Sequence, residues 1–320
     1  MNYRKLAKVP LKISEIGLGT AQLSNTDNNF KGVKHVPLTE AKKILSTAIE
    51  RGVNFFDTAI NYGNAQSLLK EIKRDYKDSI IIACKVGLGK NGIRDFSISS
   101  LNNQIENTLN EIDIDTIDLL QLNKPTQKDL ENGELFEFLE NLKREGRVKH
   151  TGVVVGDTDT GYTCIKSKTI DCLQIMYNLL FQETEKLIEK TKQDGLGIII
   201  RSPLNNGLLS GTFSPKQEFD PNDERADYFS GPIFEKRLEK LKKIQESLEI
   251  EDRDLIDYSL RFILSNKNVS TVIPGFSKVS QLDHCLDNVE NFLPFKPEEL
   301  LNIKNTVSEN LKDSSFIVQN

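Results

Sequence analysis

Short runs rich in Ile, Leu and Val recur along this chain, separated by longer stretches, several with helical spacing. Ile80-Ile81-Ile82-Ala83-Cys84, Ile117-Asp118-Leu119-Leu120-Gln121-Leu122 and Gly197-Ile198-Ile199-Ile200 are the clearest. A strand wetted on one side alternates polar and apolar residues, whereas a strand covered on both sides has no such need. The runs therefore predict a parallel sheet with helices packed on it. Eight strands are expected: Ile16 to Thr20, Val53 to Phe56, Ile80 to Cys84, Ile117 to Leu122, His150 to Val155, Cys172 to Met176, Gly197 to Ile200 and Ser270 to Ile273. A small hairpin near Val9 to Ser14 precedes them.

Helices are expected over Thr39 to Glu50, capped by Thr39 and ended by Gly52, and over Ala65 to Arg74. Ser97 opens another, in which Ile98, Leu101, Ile105, Leu109 and Ile112 form one apolar stripe. Further helices fall at Leu135 to Glu145, Glu183 to Gln193, from Phe234, and at Asp254 to Leu264, with a final one from Ser280. Eight strands with intervening helices favour a closed (β/α)8 TIM barrel of class α/β, with an N-terminal β-hairpin. The rival is an open doubly wound sheet, which usually carries a GxGxxG turn if it binds a dinucleotide. Gly17-Leu18-Gly19 lacks the third glycine. A barrel typically takes about 250 residues. One domain spanning all 320 residues is therefore expected.

Charge and cysteine usage narrow the function. The net charge is -5 with both signs interspersed, unlike the clustered basic face of a nucleic-acid binder. No run approaches the roughly 20 apolar residues of a membrane span. Met1-Asn2-Tyr3-Arg4-Lys5-Leu6 shows no signal-peptide core. Cys84, Cys164, Cys172 and Cys285 are widely spaced and form no CxxC pair. They read as free thiols in a reducing cytoplasm. No HxH, HExxH or Cys/His cluster is present, so no metal site is expected. His35 lies in a polar loop from which it could reach a substrate, while His150 starts a strand and His284 lies in the last helix.

Asp57, Tyr62, Lys85 and Asn123 each fall at or just past the end of an expected strand. In a parallel barrel those ends converge on the face where chemistry is done. A free phenol has a pKa of about 10 and is a poor acid or base near neutrality. An ammonium within hydrogen-bond reach stabilises the phenolate, and a carboxylate keeps that ammonium charged and aimed. Such a tyrosine suits general acid–base work. A carbonyl that receives hydride is one substrate needing it, because its oxygen must gain a proton. Singly, each residue has a plainer role: Asp57 as a turn cap, Tyr62 as loop packing, Lys85 in a surface ion pair. A lysine at a strand end also permits a Schiff-base aldolase.

The whole chain resembles the aldo-keto reductases, NAD(P)H-dependent enzymes on a (β/α)8 barrel. The resemblance runs through Ile16-Gly17-Leu18-Gly19-Thr20, the Gly52 to Gly63 block, Lys85, and Ile117 to Leu122. It continues through Lys143 to Gly152, Gln174-Ile175-Met176-Tyr177-Asn178, Ser202-Pro203-Leu204-Asn205-Asn206-Gly207-Leu208-Leu209-Ser210-Gly211 and Val272-Ile273-Pro274-Gly275. It implies that Asp57, Tyr62 and Lys85 are three of the family's four catalytic residues, with Tyr62 the proton donor in reduction. It implies Gln174 at the nicotinamide carboxamide. Arg201, Ser202, Pro203, Leu204, Gly207 and Leu209 would serve the pyrophosphate side, and Gly275, Ser277, Lys278, Gln281 and Cys285 the adenosine. Gly19 and Thr20 complete the implied cofactor set. NADPH is the implied cofactor, with NADH left open.

The chain departs from the family pattern at several places. The usual fourth catalytic residue, a histidine, is Asn123 in Leu122-Asn123-Lys124-Pro125. An amide N–H can still donate to a carbonyl oxygen but does not relay a proton. The family's Gly-x-Ser-Asn, which grips the carboxamide, reads Gly152-Val153-Val154-Val155. A tyrosine that often stacks on the nicotinamide is Arg201. The usual arginine at the 2'-phosphate aligns with Ser277, beside Lys278, and the asparagine at the adenine aligns with Cys285. Loops at Ser24 to Pro37, Asn123 to Asn132 and Thr212 to Pro232 are expected to form a polar substrate pocket with few aromatics. That lining suits a keto-sugar better than a steroid. The expected function is reduction of a ketone or aldehyde. The alternative is a cofactor-binding sensor with little turnover, suggested by the altered amide grip and the absent histidine.

Overall fold

The structure, a computed structural model, describes residues 1–6, 8–9, 11–24, 36–76, 79–89, 92–220, 223, 225–291 and 293–311. Strands β1 (Tyr3–Lys5) and β2 (Lys12–Ser14) form the hairpin. They pair antiparallel with Tyr3 opposite Ser14, so the hairpin starts earlier than expected. The barrel strands follow: β3 (Leu18–Gly19), β4 (Phe55–Ala59), β5 (Ile81–Val86) and β6 (Ile117–Asn123), then β7 (Val148–Val154), β8 (Cys172–Met176), β9 (Gly197–Arg201) and β10 (Thr271–Val272). All eight are parallel in chain order. Bridges Ile16–Val272 and Gly19–Gly275 close the cylinder, with the Gly19 N–H donating to the Pro274 carbonyl at 3.0 Å.

Strand parity divides the barrel into two interiors. Phe56, Ile82, Cys84, Leu120, Leu122, Leu173, Ile175 and Ile200 face outward into the core beneath the helices. Phe55, Ile81, Ala83, Leu119, Cys172 and Ile199 face inward and form an apolar floor. Leu6 and Ile13 of the hairpin plug that floor from below. Gly197 leaves room for the plug, since a Cβ there would stand 2.5 Å from Leu6 Cδ1. One step of two residues above the floor come Asp57, Lys85, Gln121, Gln174 and Arg201.

Helices α1 (Leu38–Glu50), α2 (Ala65–Tyr76), α3 (Ile98–Ile112), α4 (Gln127–Leu130) and α5 (Glu134–Arg144) cover the first half. Then come α6 (Thr158–Ser167), α7 (Glu185–Asp194), α8 (Arg225–Tyr228), α9 (Gly231–Leu248), α10 (Leu255–Leu264), α11 (Val279–Asn291) and α12 (Pro297–Leu311). Ser97 caps α3, accepting from the Ser100 N–H at 3.4 Å. Thr39 is not a cap: α1 begins one residue earlier, after Pro37, without a side-chain cap. Four helices were not expected: the single turns α4 and α8, and two longer ones, α6 and α12. Helix α6 is opened by Asp157, whose carboxylate accepts from the Thr160 N–H at 2.7 Å. Helix α12 follows the supposed last helix and packs on α9.

Gly211 ends the 3-10 segment after β9 with φ +70°, and a Cβ there would lie 2.1 Å from the Asp252 carbonyl oxygen. Gly146 has a similar φ of +75° but open space around it. Gly146→Ala is expected to cost about 1 kcal/mol from backbone strain alone. Gly211→Ala should cost about 3 kcal/mol because the facing backbone must also move. Urea midpoints of the two variants measure the difference; equal midpoints would show that the Asp252 contact yields freely.

Candidate active site

The polar layer above the floor is built around one carboxylate. Asp57 is 2% exposed and Lys85 3% exposed. The Lys85 ammonium is ion-paired with Asp57 Oδ1. Asp57 Oδ2 accepts from Gln174 Nε2 at 2.8 Å and from Gln121 Nε2 at 3.1 Å. Gln174 Nε2 also reaches Gln121 Oε1 at 3.1 Å. A buried charge needs such partners, or its desolvation is uncompensated. β4 runs three residues past its expected end, so Asp57 sits mid-strand rather than at the tip. Gln121 escaped the sequence reading, although its parity with Leu119 and Asn123 was a usable signal.

Tyr62 lies on the turn after β4, its N–H bonded to the Ala59 carbonyl at 3.0 Å. Lys85 Nζ stands over its ring, 4.8 Å from the centroid. Burial pushes the Lys85 pKa down, but Asp57 and then Tyr62 outweigh it, and the net shift is upward. An ammonium held charged in this way is a poor Schiff-base nucleophile, which disfavours the aldolase.

Asn123 ends β6, and Lys124 follows with a left-handed φ of +57°. Val154 stands on the neighbouring wall and, with Val155, is buried and apolar. Arg201 ends β9. Its Nε is buried without a hydrogen-bond partner among the described residues. Burial pushes its pKa down to about 10, against an opposing pull from Tyr62. Ser202, Asn205 and Asn206 adopt left-handed φ of +50°, +47° and +56°. Non-glycine residues rarely hold this region unless their surroundings impose it. Asn178 helps impose it, donating to the Ser202 carbonyl at 3.0 Å.

A cleft of about 630 Å³ opens above these groups. It brings together Asp57, Tyr62, Lys85 and Asn123 with Gly19, Gln174, Arg201, Ser202, Pro203, Leu204 and Gly207, and extends to Gly275, Ser277, Gln281 and Cys285. Thr20, Leu209 and Lys278 lie outside its lining. Thr20 is buried, with its N–H and hydroxyl both donating to the Asp57 carbonyl. Leu209 is in the core, and Lys278 is exposed. Ser277 is tied to Gln281, its N–H donating to Oε1 at 2.9 Å. Burial pushes the Cys285 thiol up to about 12, so it is no nucleophile near neutrality.

The cleft also contains Gln22 and Arg94, which sequence reasoning missed, and Lys124, Phe213, Arg225 and Tyr228, which come from two of the loops expected to line it. The segment expected to be a polar loop instead buries an aromatic cluster. Phe213 makes edge contacts with Phe219 and Phe229, both at 5.3 Å, and with Phe234 at 6.2 Å. His35 and most of the Ser24 to Pro37 loop lie outside the described residues. Among the described residues no cluster of three or more His, Cys, Asp or Glu could hold a metal. No helix among them is long and apolar enough to cross a membrane.

The model of the aldo/keto reductase family matches residues 15–307. The uncharacterized oxidoreductase YqkF of Bacillus subtilis is 28% identical over 289 residues, covering 88% of this chain and 89% of its own. The L-galactose dehydrogenase of Arabidopsis thaliana is 28% identical over 301 residues, covering 88% and 86%. Among solved structures, the holo form of the aldo-keto reductase AKR11C1 from Bacillus halodurans superposes with a TM-score of 0.79. It is 27% identical and covers 96% of both chains.

Proposed function

We propose a hydride-transfer role from one premise: this chain belongs to the aldo/keto reductase family, oxidoreductases that act on carbonyls. The observation that carries the finer reading is the Asp57–Lys85–Tyr62 contact at the foot of the cleft. The residues fit a nicotinamide dinucleotide. The cleft reaches from Tyr62 past the left-handed Ser202–Asn206 turn to Gln281, and its Arg201 Nε lacks a partner among the described residues. A bound nicotinamide would supply the hydride. Tyr62 gives its proton to the carbonyl oxygen. Lys85 then stabilises the phenolate, and Asp57, clamped by Gln121 and Gln174, keeps Lys85 in place. Asn123 offers an amide N–H to the same oxygen.

This arrangement gives Gln174 a role beyond the one the family resemblance implies, since its amide N–H is committed to Asp57 and Gln121. Arg201, Ser202, Pro203, Leu204 and Gly207 would hold the dinucleotide's middle, and Gly275, Ser277, Gln281 and Cys285 its far end. NADPH is preferred over NADH through the exposed Lys278, which meets a phosphate as a point charge. Four free buried thiols suit a reducing cytoplasm.

The test is consumption of NADPH and NADH against a panel of aldehydes, ketones and keto-sugars. Turnover of at least one carbonyl class is expected. The apolar Val154–Val155 wall favours the competing sensor reading, in which tight cofactor binding accompanies no consumption on any member of the panel.

A further inference from the structure

A buried side-chain amide can be engaged at both ends, as that of Asn178 is. Its Oδ1 accepts from the Leu180 and Phe181 N–H groups at 3.0 and 2.9 Å, and its Nδ2 donates to the Ser202 carbonyl at 3.0 Å. Asn61 differs. It is 5% exposed, yet its Oδ1 is buried and accepts from no described residue. An acceptor left dry forfeits the hydrogen bonds it had to water in the unfolded chain. Such groups are few in native folds, and each has a cause.

Position supplies the cause here. Among the described residues, the cleft lining holds two such atoms, Asn61 Oδ1 and Arg201 Nε, whereas Gln66 Oε1 and Asn205 Oδ1 fall outside it. Arg201 ends β9, beside the turn assigned above to the dinucleotide. Asn61 follows β4, which β3 and β10 separate from β9 around the closed cylinder. The Tyr62 N–H closes a tight turn onto the Ala59 carbonyl at 3.0 Å, so Ile60 and Asn61 are its two central residues. Ile60 is absent from the cleft lining, and Asn61 stands in it next to the proton donor. The χ2 wells of asparagine are broad, so a modest rotation presents Oδ1 to a ligand.

We propose that Asn61 is a specificity-determining residue: its Oδ1 accepts a hydrogen bond from a substrate hydroxyl on the carbon next to the carbonyl, while Tyr62 protonates the carbonyl oxygen. The proposal rests on the carbonyl-reductase reading and names its substrate class, a hydroxy-aldehyde or hydroxy-ketone. A site with a buried acceptor rejects the analogue lacking the hydroxyl, because the oxygen then stays dry. An amine would enter as an ammonium at neutral pH, and the guanidinium of Arg201 in the same cleft opposes that.

Two experiments separate this proposal from that reading. The first compares kcat/KM for hydroxyacetone with butanone, and for lactaldehyde with 2-methylpropanal. Each pair exchanges a hydroxyl for a methyl of similar size. The hydroxylated member is expected to be favoured about thirtyfold, and Asn61→Leu lowers its kcat/KM about thirtyfold more than that of its partner. The second needs no turnover. It follows the melting temperature of the protein–NADP⁺ complex with propane-1,2-diol or butan-2-ol, the alcohols formed from the first pair. A larger upward shift from the diol, lost in Asn61→Leu, supports the hydroxyl contact. Absent turnover with that shift intact overturns only the reductase reading. Equal kcat/KM within each pair together with no diol-specific shift overturns the proposal, as does a preference that survives Asn61→Leu. A tenfold loss of NADP⁺ affinity in the variant assigns the oxygen to the cofactor instead. Leucine leaves no acceptor dry, so the ligand-free variant should melt no lower than wild type. A fall of about 5 °C or more gives Asn61 a structural role and likewise overturns the proposal.

Discussion

Lys85→Met is expected to abolish reductase turnover and to destabilise the fold by about 3–5 kcal/mol at neutral pH, because it leaves a buried charge without its partner. Asp57 is 2% exposed, and its Oδ2 is already committed to Gln174 and Gln121. Two amide donors do not replace an ammonium. The double variant Asp57→Asn/Lys85→Met removes both charges and should regain much of the lost stability while staying inactive. That combination separates the electrostatic cause from simple packing damage. The pair also sets an alkaline limit. The folded Lys85 pKa is raised above its ordinary 10.5. Its contribution is therefore complete below that value and is lost as the pH climbs from there through the folded value. Urea midpoints of wild type and the single variant should converge in that window. Coincident midpoints at pH 7 would remove the buried ion pair from the account of stability.

Tyr62→Phe carries the second large effect. Removal of one general acid should lower kcat by about a thousandfold, within the usual span for such groups. The ring and its contact with Lys85 remain, so cofactor affinity should stay within about twofold and stability within about 1 kcal/mol. Reduction needs the hydroxyl protonated. The wild-type rate should therefore fall as rising pH ionises it, and the variant's residual rate should be flat there. A variant retaining a tenth of wild-type kcat would move the proton donor elsewhere in the cleft.

The strands were legible because each is a local apolar run, and covering both faces of a sheet leaves that trace in any such run. Asp57, Tyr62, Lys85 and Asn123 stood out because a polar residue closing an apolar run has few structural uses. Other features left little local trace. Helix α6 has a weak apolar stripe, with Tyr162, Cys164 and Ile165 as its larger apolar residues, and was overlooked. Gln121 sits inside an apolar strand run, where its polarity gives no local sign that its amide reaches Asp57. Thr20 looked like a cleft residue, but its hydroxyl is consumed by the Asp57 carbonyl. The Thr212 to Pro232 stretch looked polar by composition, whereas Phe213, Phe219 and Phe229 meet through space.

Periodicity along the chain determined the parallel barrel, its order of strands and helices, and the polar groups aimed at one end, because each follows from neighbours a few residues apart. Tertiary structure alone decided which of those groups touch, and how Leu6 and Ile13 stopper the base against Gly197. It also decided that Asn61, beside Tyr62, lines the cleft. Those outcomes depend on strand stagger and loop closure across dozens of residues. Hydrogen bonding and burial act on such distances only once the cylinder has shut.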